Sequence, residues 1–246
     1  MSLLLLAAAA PVLHYVRSNS DGTEPETVIV YADAPGSVRV FKGREPCTSA
    51  AYVTAELDPV SGQTRSLVGG RLGRDLNQDA AAWFSSPVGR AQVRLGSPES
   101  DPVFDIAVSD RWFLYDFDFA DWIAQPPAEI LSREDISREM ILLLTGEDEP
   151  TMSSRGTFKL TYAGTGEVEG RGFVYYRAGG PALGGETGAM WFDADDGRLL
   201  AARLPLANHA EYSDFAYHLV RREEGEGAWR AALASHWEGC PAPEES

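Results

Sequence analysis

The residues from Gly156 to Leu206 constrain the fold more than any other stretch. They read GTFKLTYAGTGEVEGRGFVYYRAGGPALGGETGAMWFDADDGRLLAARLPL. Phe158, Leu160 and Tyr162 alternate with Thr157, Lys159 and Thr161, and Ala163-Gly164-Thr165-Gly166 supplies a turn. Glu167 to Arg177 runs back. Gly188 to Asp193 and Arg198 to Leu204 then flank the turn Ala194-Asp195-Asp196-Gly197. Apolar residues at every second position give a strand one apolar face and give a helix no stripe. Interrupted by Gly-rich and Asp-Gly turns, the pattern is that of an antiparallel meander.

The same grammar extends through most of the chain. Glu26 to Ala32 and Ser37 to Lys42 flank Asp33-Ala34-Pro35-Gly36, with Val28, Val30 and Ala32 on one face and Val38, Val40 and Lys42 on the partner's. Further strands are expected at Ala50 to Leu57, Gln63 to Gly69, Arg90 to Leu95 and Val103 to Val108. A D-x-x-x-G turn at Asp58 to Gly62 recurs at Asp193 to Gly197. Two segments break the grammar. Ile130, Leu131, Ile136, Met140, Ile141 and Leu144 fall on one stripe and predict a helix over residues 129–145, with a strand for Met140 to Leu144 as the alternative. Trp229, Ala232, Leu233, His236 and Trp237 predict a helix over 228–238, ended by Gly239. The expected fold is therefore mainly β: an antiparallel, open or half-closed barrel, a curved meander sheet with one or two helices. It forms a single domain over residues 14–240, with a tail at 241–246.

Charge narrows the partners. The formal net charge of −16 over 246 residues lacks the basic footprint that supplies most nucleic-acid affinity, and it is repelled by anionic membrane surfaces. Residues 1–13 contain the run SLLLLAAAAPVL. It is shorter than the roughly 20 apolar residues of a spanning helix. It resembles the apolar core of a secretory signal, with Ala8 and Ala10 before Pro11; a first buried strand or helix is the other reading. The periplasm or the exterior is the expected location, with the cytoplasm left open. Cys47 and Cys240, each beside a proline, fit one structural disulfide in an oxidising compartment or two unrelated thiols in a reducing one.

Chemistry-bearing patterns are sparse. Residues 111–122 read RWFLYDFDFADW. As a strand, this segment sets Phe113, Tyr115, Phe117 and Phe119 on one face, which must be buried or meet an apolar ligand. Trp112, Leu114, Asp116 and Asp118 lie on the other. Two carboxylates there can hold a cation or share acid and base roles, or form a solvated acidic face, which is the reading adopted. His14, His209, His218 and His236 form no H-E-x-x-H motif, and no nucleophile elbow, phosphate loop or dinucleotide fingerprint occurs. No catalytic residue, metal site or cofactor is assigned.

The hairpin WFDADDGRLLAARLP and the following NHAEYSDFAYHLV resemble bacterial periplasmic lipoprotein-carrier-like proteins and the uncharacterised envelope domains near them. The resemblance implies a strongly curved antiparallel sheet that binds acyl chains without catalysis. The functional expectation is a non-enzymatic envelope protein that takes an apolar, lipid-like ligand on its concave face through Phe113, Tyr115, Phe117 and Phe119. One alternative is a structural or partner-binding envelope module without a small ligand. The other is a hydrolase or metal-dependent enzyme using the paired aspartates.

Overall fold

A computed structural model describes residues 9–144 and 150–242. Most of the signal-like run, the end of the helix expected at 129–145 and most of the tail lie outside them. The first half of the chain forms β1 (Pro11–Ser18), β2 (Glu26–Ala34), β3 (Ser37–Gly43), β4 (Ala51–Leu57), β5 (Thr64–Leu72), β6 (Gln78–Ser85), β7 (Arg90–Leu95) and β8 (Phe104–Ala107). Next come the short β9 (Trp112–Leu114), a 3-10 turn (Tyr115–Phe117), α1 (Ala120–Ala124) and α2 (Ala128–Ser132). The second half holds β10 (Ile136–Leu144), β11 (Thr151–Val168), β12 (Arg171–Gly179), β13 (Gly188–Asp193), β14 (Leu199–Leu204), β15 (Phe215–Glu224) and α3 (Gly225–Trp237).

All fifteen strands belong to one curved sheet, open between β8 and β9. Its order is β8-β7-β6-β5-β4-β3-β2-β1-β15-β14-β13-β12-β11-β10-β9. Neighbours in the sheet pair antiparallel, except that β9 runs parallel to β10. The first and last strands pair with each other in mid-sheet, Pro11 opposite Glu224 and Ser18 opposite Ala216. The two edge strands are consecutive in sequence, so residues 108–111 bridge the seam. Residues 115–135, which connect β9 to β10, form a plug inside the curve.

Inward side chains along the strands build the main core. Leu13 and Tyr15, Val28 and Val30, Val38 and Val40, Val174 and Tyr176, Met190 and Phe192 all point into it. On β1 to β4 outward residues are buried too, because α3 lies across them: Val12, Ile29, Tyr31, Phe41 and Tyr52 cluster with Trp229 and Leu233. That double burial replaces alternation by apolar runs such as Val28-Ile29-Val30-Tyr31. The repeated D-x-x-x-G turns close alike. Asp58 Oδ1 accepts from the N–H groups of Val60 (2.9 Å) and Ser61 (2.8 Å), and Asp193 Oδ1 from that of Asp195 (2.8 Å). Gly62 (φ 71°) and Gly197 (φ 72°) then take the left-handed turn that glycine adopts without steric cost.

The helix expected over 129–145 is corrected. Among the described residues only Glu129 to Ser132, the end of α2, are helical there, and Ile136–Leu144 is strand, paired with β11 and β9. The cause is a register shift between Met140 and Ile141. A bulge breaks period two; here both residues are buried, at 0% exposure. Ile136, Met140 and Ile141 thereby mimic helical spacing. By contrast, α3 falls where the periodicity predicts.

Candidate functional site

The aromatic segment does not form one strand. β9 stops at Leu114, and Asp118 (φ 53°) and Phe119 (φ 57°) sit consecutively in the left-handed region, costly for side chains other than glycine. The chain therefore coils inward rather than presenting an alternating face. Phe113, Tyr115, Phe117 and Phe119 are each at most 1% exposed, all within the main core. Phe113 stacks on Phe119 at 5.5 Å and meets Phe158 edge-on at 5.4 Å. Tyr115 lies 5.6 Å from Phe215, and Phe119 lies 5.5 Å from Trp122. The Tyr115 hydroxyl donates to the carbonyl of Leu206 at 2.6 Å.

The solvated face expected for Asp116 and Asp118 is likewise corrected. Asp118 is fully buried at the centre of an ionic clamp. Lys42 Nζ lies 2.6 Å from its Oδ2 and Arg17 Nη1 3.2 Å from its Oδ1. Asn208 Nδ2 donates to the same Oδ1 at 2.5 Å and to the carbonyl of Tyr115 at 3.1 Å. Arg17 Nη2 reaches Glu26 Oε2 at 2.6 Å, and its guanidinium lies over the Tyr212 ring at 4.2 Å. Lys42 Nζ also donates to the carbonyl of Asp116 at 2.7 Å. The sheet sets this up: Arg17 faces Glu26 across β1 and β2, and Lys42 continues the inward row of Val38 and Val40 on β3. Two cations thus meet two carboxylates, which makes burial of all four tolerable.

Titration in the clamp follows from burial and neighbouring charge. Burial pushes Asp118 up, but Lys42 and Arg17 outweigh it and hold the carboxyl well below the usual range. Asp116 has no such direct partner, and burial raises it to about 7. His209, in the loop before β15, is driven down to about 3 by burial and by Lys42 and Arg17. It is neutral near pH 7, and its Nε2 is buried without a hydrogen-bond partner among the described residues. Asp116, Asp118 and His209 therefore share one neighbourhood. Sequence reasoning missed Arg17, Glu26, Lys42 and Asn208. The available signal was Lys42, a charge at an inward register position and one of two lysines in the chain.

Cys47 and Cys240 are joined by a disulfide at the far side of the sheet. Beside it, Cys47 N donates to the His236 carbonyl at 3.0 Å, and a ring nitrogen of His236 lies 2.9 Å from the Thr48 carbonyl. His14 pairs with Glu223 at 2.8 Å. Among the described residues, no group of three or more His, Cys, Asp or Glu is placed to hold a metal ion, and no helix is long and apolar enough to cross a membrane. No family model matches the chain, and no curated protein matches its sequence.

Proposed function

We propose that the protein is a non-enzymatic module of the periplasm or cell exterior, whose curved sheet is a scaffold for partner recognition rather than a vessel for apolar cargo. The observation that carries this reading is the occupied concave face. Phe113, Tyr115, Phe117 and Phe119 fill it at no more than 1% exposure each. An acyl chain there would have to displace packed rings, each worth several kcal/mol. The Cys47–Cys240 bond supports a compartment where disulfides persist. The proximity of Asp116, Asp118 and His209 favours a hydrolytic reading as the alternative. It is the weaker one, because both oxygens of Asp118 are already taken by Lys42, Arg17 and Asn208.

Fluorescent fatty-acid titration of the unmutated protein is expected to give no saturable binding. Phe117→Ala is expected to lose about 3–5 kcal/mol in urea unfolding, as core phenylalanines do. Saturable one-to-one binding that Phe117→Ala weakens with little loss of stability would restore the carrier reading.

A further inference from the structure

The turn between β4 and β5, the link across the seam and the two helices of the plug enclose a cleft of about 370 Å³. That is near the lower end of the ~300–1,000 Å³ usual for ligand sites. Asp121 of α1, 1% exposed, lines it, and its Oδ1 accepts from the N–H of Trp122 at 2.9 Å. The side-chain amides of Gln63 and Gln125 and the ion pair of Glu129 with Arg138 line it as well. These groups are pre-set. Gln125 Nε2 donates to the Pro59 carbonyl at 3.1 Å, and Arg138 Nη2 donates to Glu129 Oε1 at 2.9 Å. Arg111 pairs with the same oxygen. The Gln63 amide, turned so that both its ends are satisfied, donates to the Asp110 carbonyl at 3.0 Å and accepts from the Trp112 indole.

The charges of this lining offset one another. Arg111 and Arg138 stand against Asp110 and Glu129, while burial holds Asp121 up at about 7. A near-neutral cleft has little to offer an ion. One dense in carboxyl, amide and guanidinium groups has little to offer an acyl chain. It suits a ligand whose every polar group both donates and accepts. Pro126 and Pro127 add apolar surface beside the polar groups, over Trp112 and Trp122, which are 3% and 5% exposed, and a sugar ring has C–H faces to meet such surface as well as hydroxyl edges. We propose that the seam cleft is a binding site for a neutral carbohydrate of one or two rings, held by Asp121, Gln63, Gln125 and the Glu129–Arg138 pair.

The site is separate from the concave core, so its test does not depend on whether that core holds cargo. Intrinsic tryptophan fluorescence, with Trp112 and Trp122 at the site, is titrated with cellobiose, maltose, N-acetylglucosamine and its β-1,4-linked disaccharide. Glucose 6-phosphate and hexanoate serve as ionic and apolar controls. At least one neutral sugar is expected to saturate the signal while both controls do not. Gln125→Ala, a change at a half-buried position, is expected to weaken that binding about tenfold through the lost hydrogen bonds at an unchanged melting temperature. No saturable response to any of the four sugars would overturn the proposal, as would a response that Gln125→Ala leaves unchanged.

Discussion

The two faces of this one sheet are held by different means. The concave face closes over a plug that is continuous with strands on both sides, and it combines a ring cluster with the Arg17–Glu26–Lys42–Asp118 clamp. Among the described residues, the convex face over β1 to β3 is covered by α3, through Trp229 and Leu233. A helix of 13 residues is marginal by itself and depends on packing. The disulfide lies on that side, just beyond the helix. Over β12 to β14 the convex face carries no helix among the described residues, and Tyr175 and Trp191 pack on each other at 5.4 Å, half-buried. The contrast teaches that the covalent tie secures the end of the helix that covers the convex face, and is not found on the uncovered part of that face.

The largest expected effect breaks that tie. Replacing both cysteines by serine opens a cross-link between positions 193 residues apart, for which chain entropy gives about 5 kcal/mol as an upper figure. Hydrogen exchange should show α3 losing protection first, with the strands around the plug following only at global unfolding. Uniform loss of protection would erase the distinction between the faces. Counting two free thiols per chain in protein taken from its own compartment would remove the tie altogether.

Next in size is the clamp. Asp118→Ala leaves Arg17 and Lys42 buried without their shared partner and is expected to cost about 3–5 kcal/mol in urea unfolding. Adding Lys42→Met should recover part of the loss, because the stranded charge goes with it. A loss for Asp118→Ala below about 1 kcal/mol, the scale of a surface pair, would show that the concave face is held by its rings alone.

The smallest effect sharpens the comparison through pH. Asp116 and Asp121, both raised to about 7 from a usual 3.8, keep protons in the folded state that the unfolded chain has already released. Their contribution to stability therefore falls as pH rises toward 7. His209, lowered to about 3 from 6.5, acts oppositely, since only the unfolded chain takes up its proton below pH 6.5. Two acids oppose one histidine, so the melting temperature should drop between pH 5 and pH 8. Asp121→Asn should flatten that drop, because asparagine stays neutral. A rise in melting temperature over this interval would contradict the picture of an interior that desolvates carboxyls.

Legibility in the sequence tracked locality. The strands from Gly156 to Leu206 were readable because one face is core and the other is open, so burial alternates. β10 was readable only as the alternative strand at Met140 to Leu144, because the bulge at Met140 and Ile141 gives a strand the spacing of a helix. The plug was not, because Asp118 and Phe119 adopt a backbone that no local preference favours; distant partners hold it there. The clamp gathers residues from Arg17 to His209, and no window along the chain contains it. Lys42 on the face of Val38 and Val40 was its one visible trace.

The pairing of β1 with β15 also bears on how the chain reaches its shape. The first of the described strands is completed by the last, nearly two hundred residues later, so one edge of β1 stays open until β15 has been made. Loop closure over such a distance is slow and comes late. Until it happens, Val12, Leu13 and Tyr15 of β1 are exposed to stray strands, the moment when a nascent β protein is most prone to aggregate. Hairpins such as β11–β12 can form at once, from local contacts. The closing step instead joins two half-sheets already built from such hairpins, and it governs how long the chain spends unprotected.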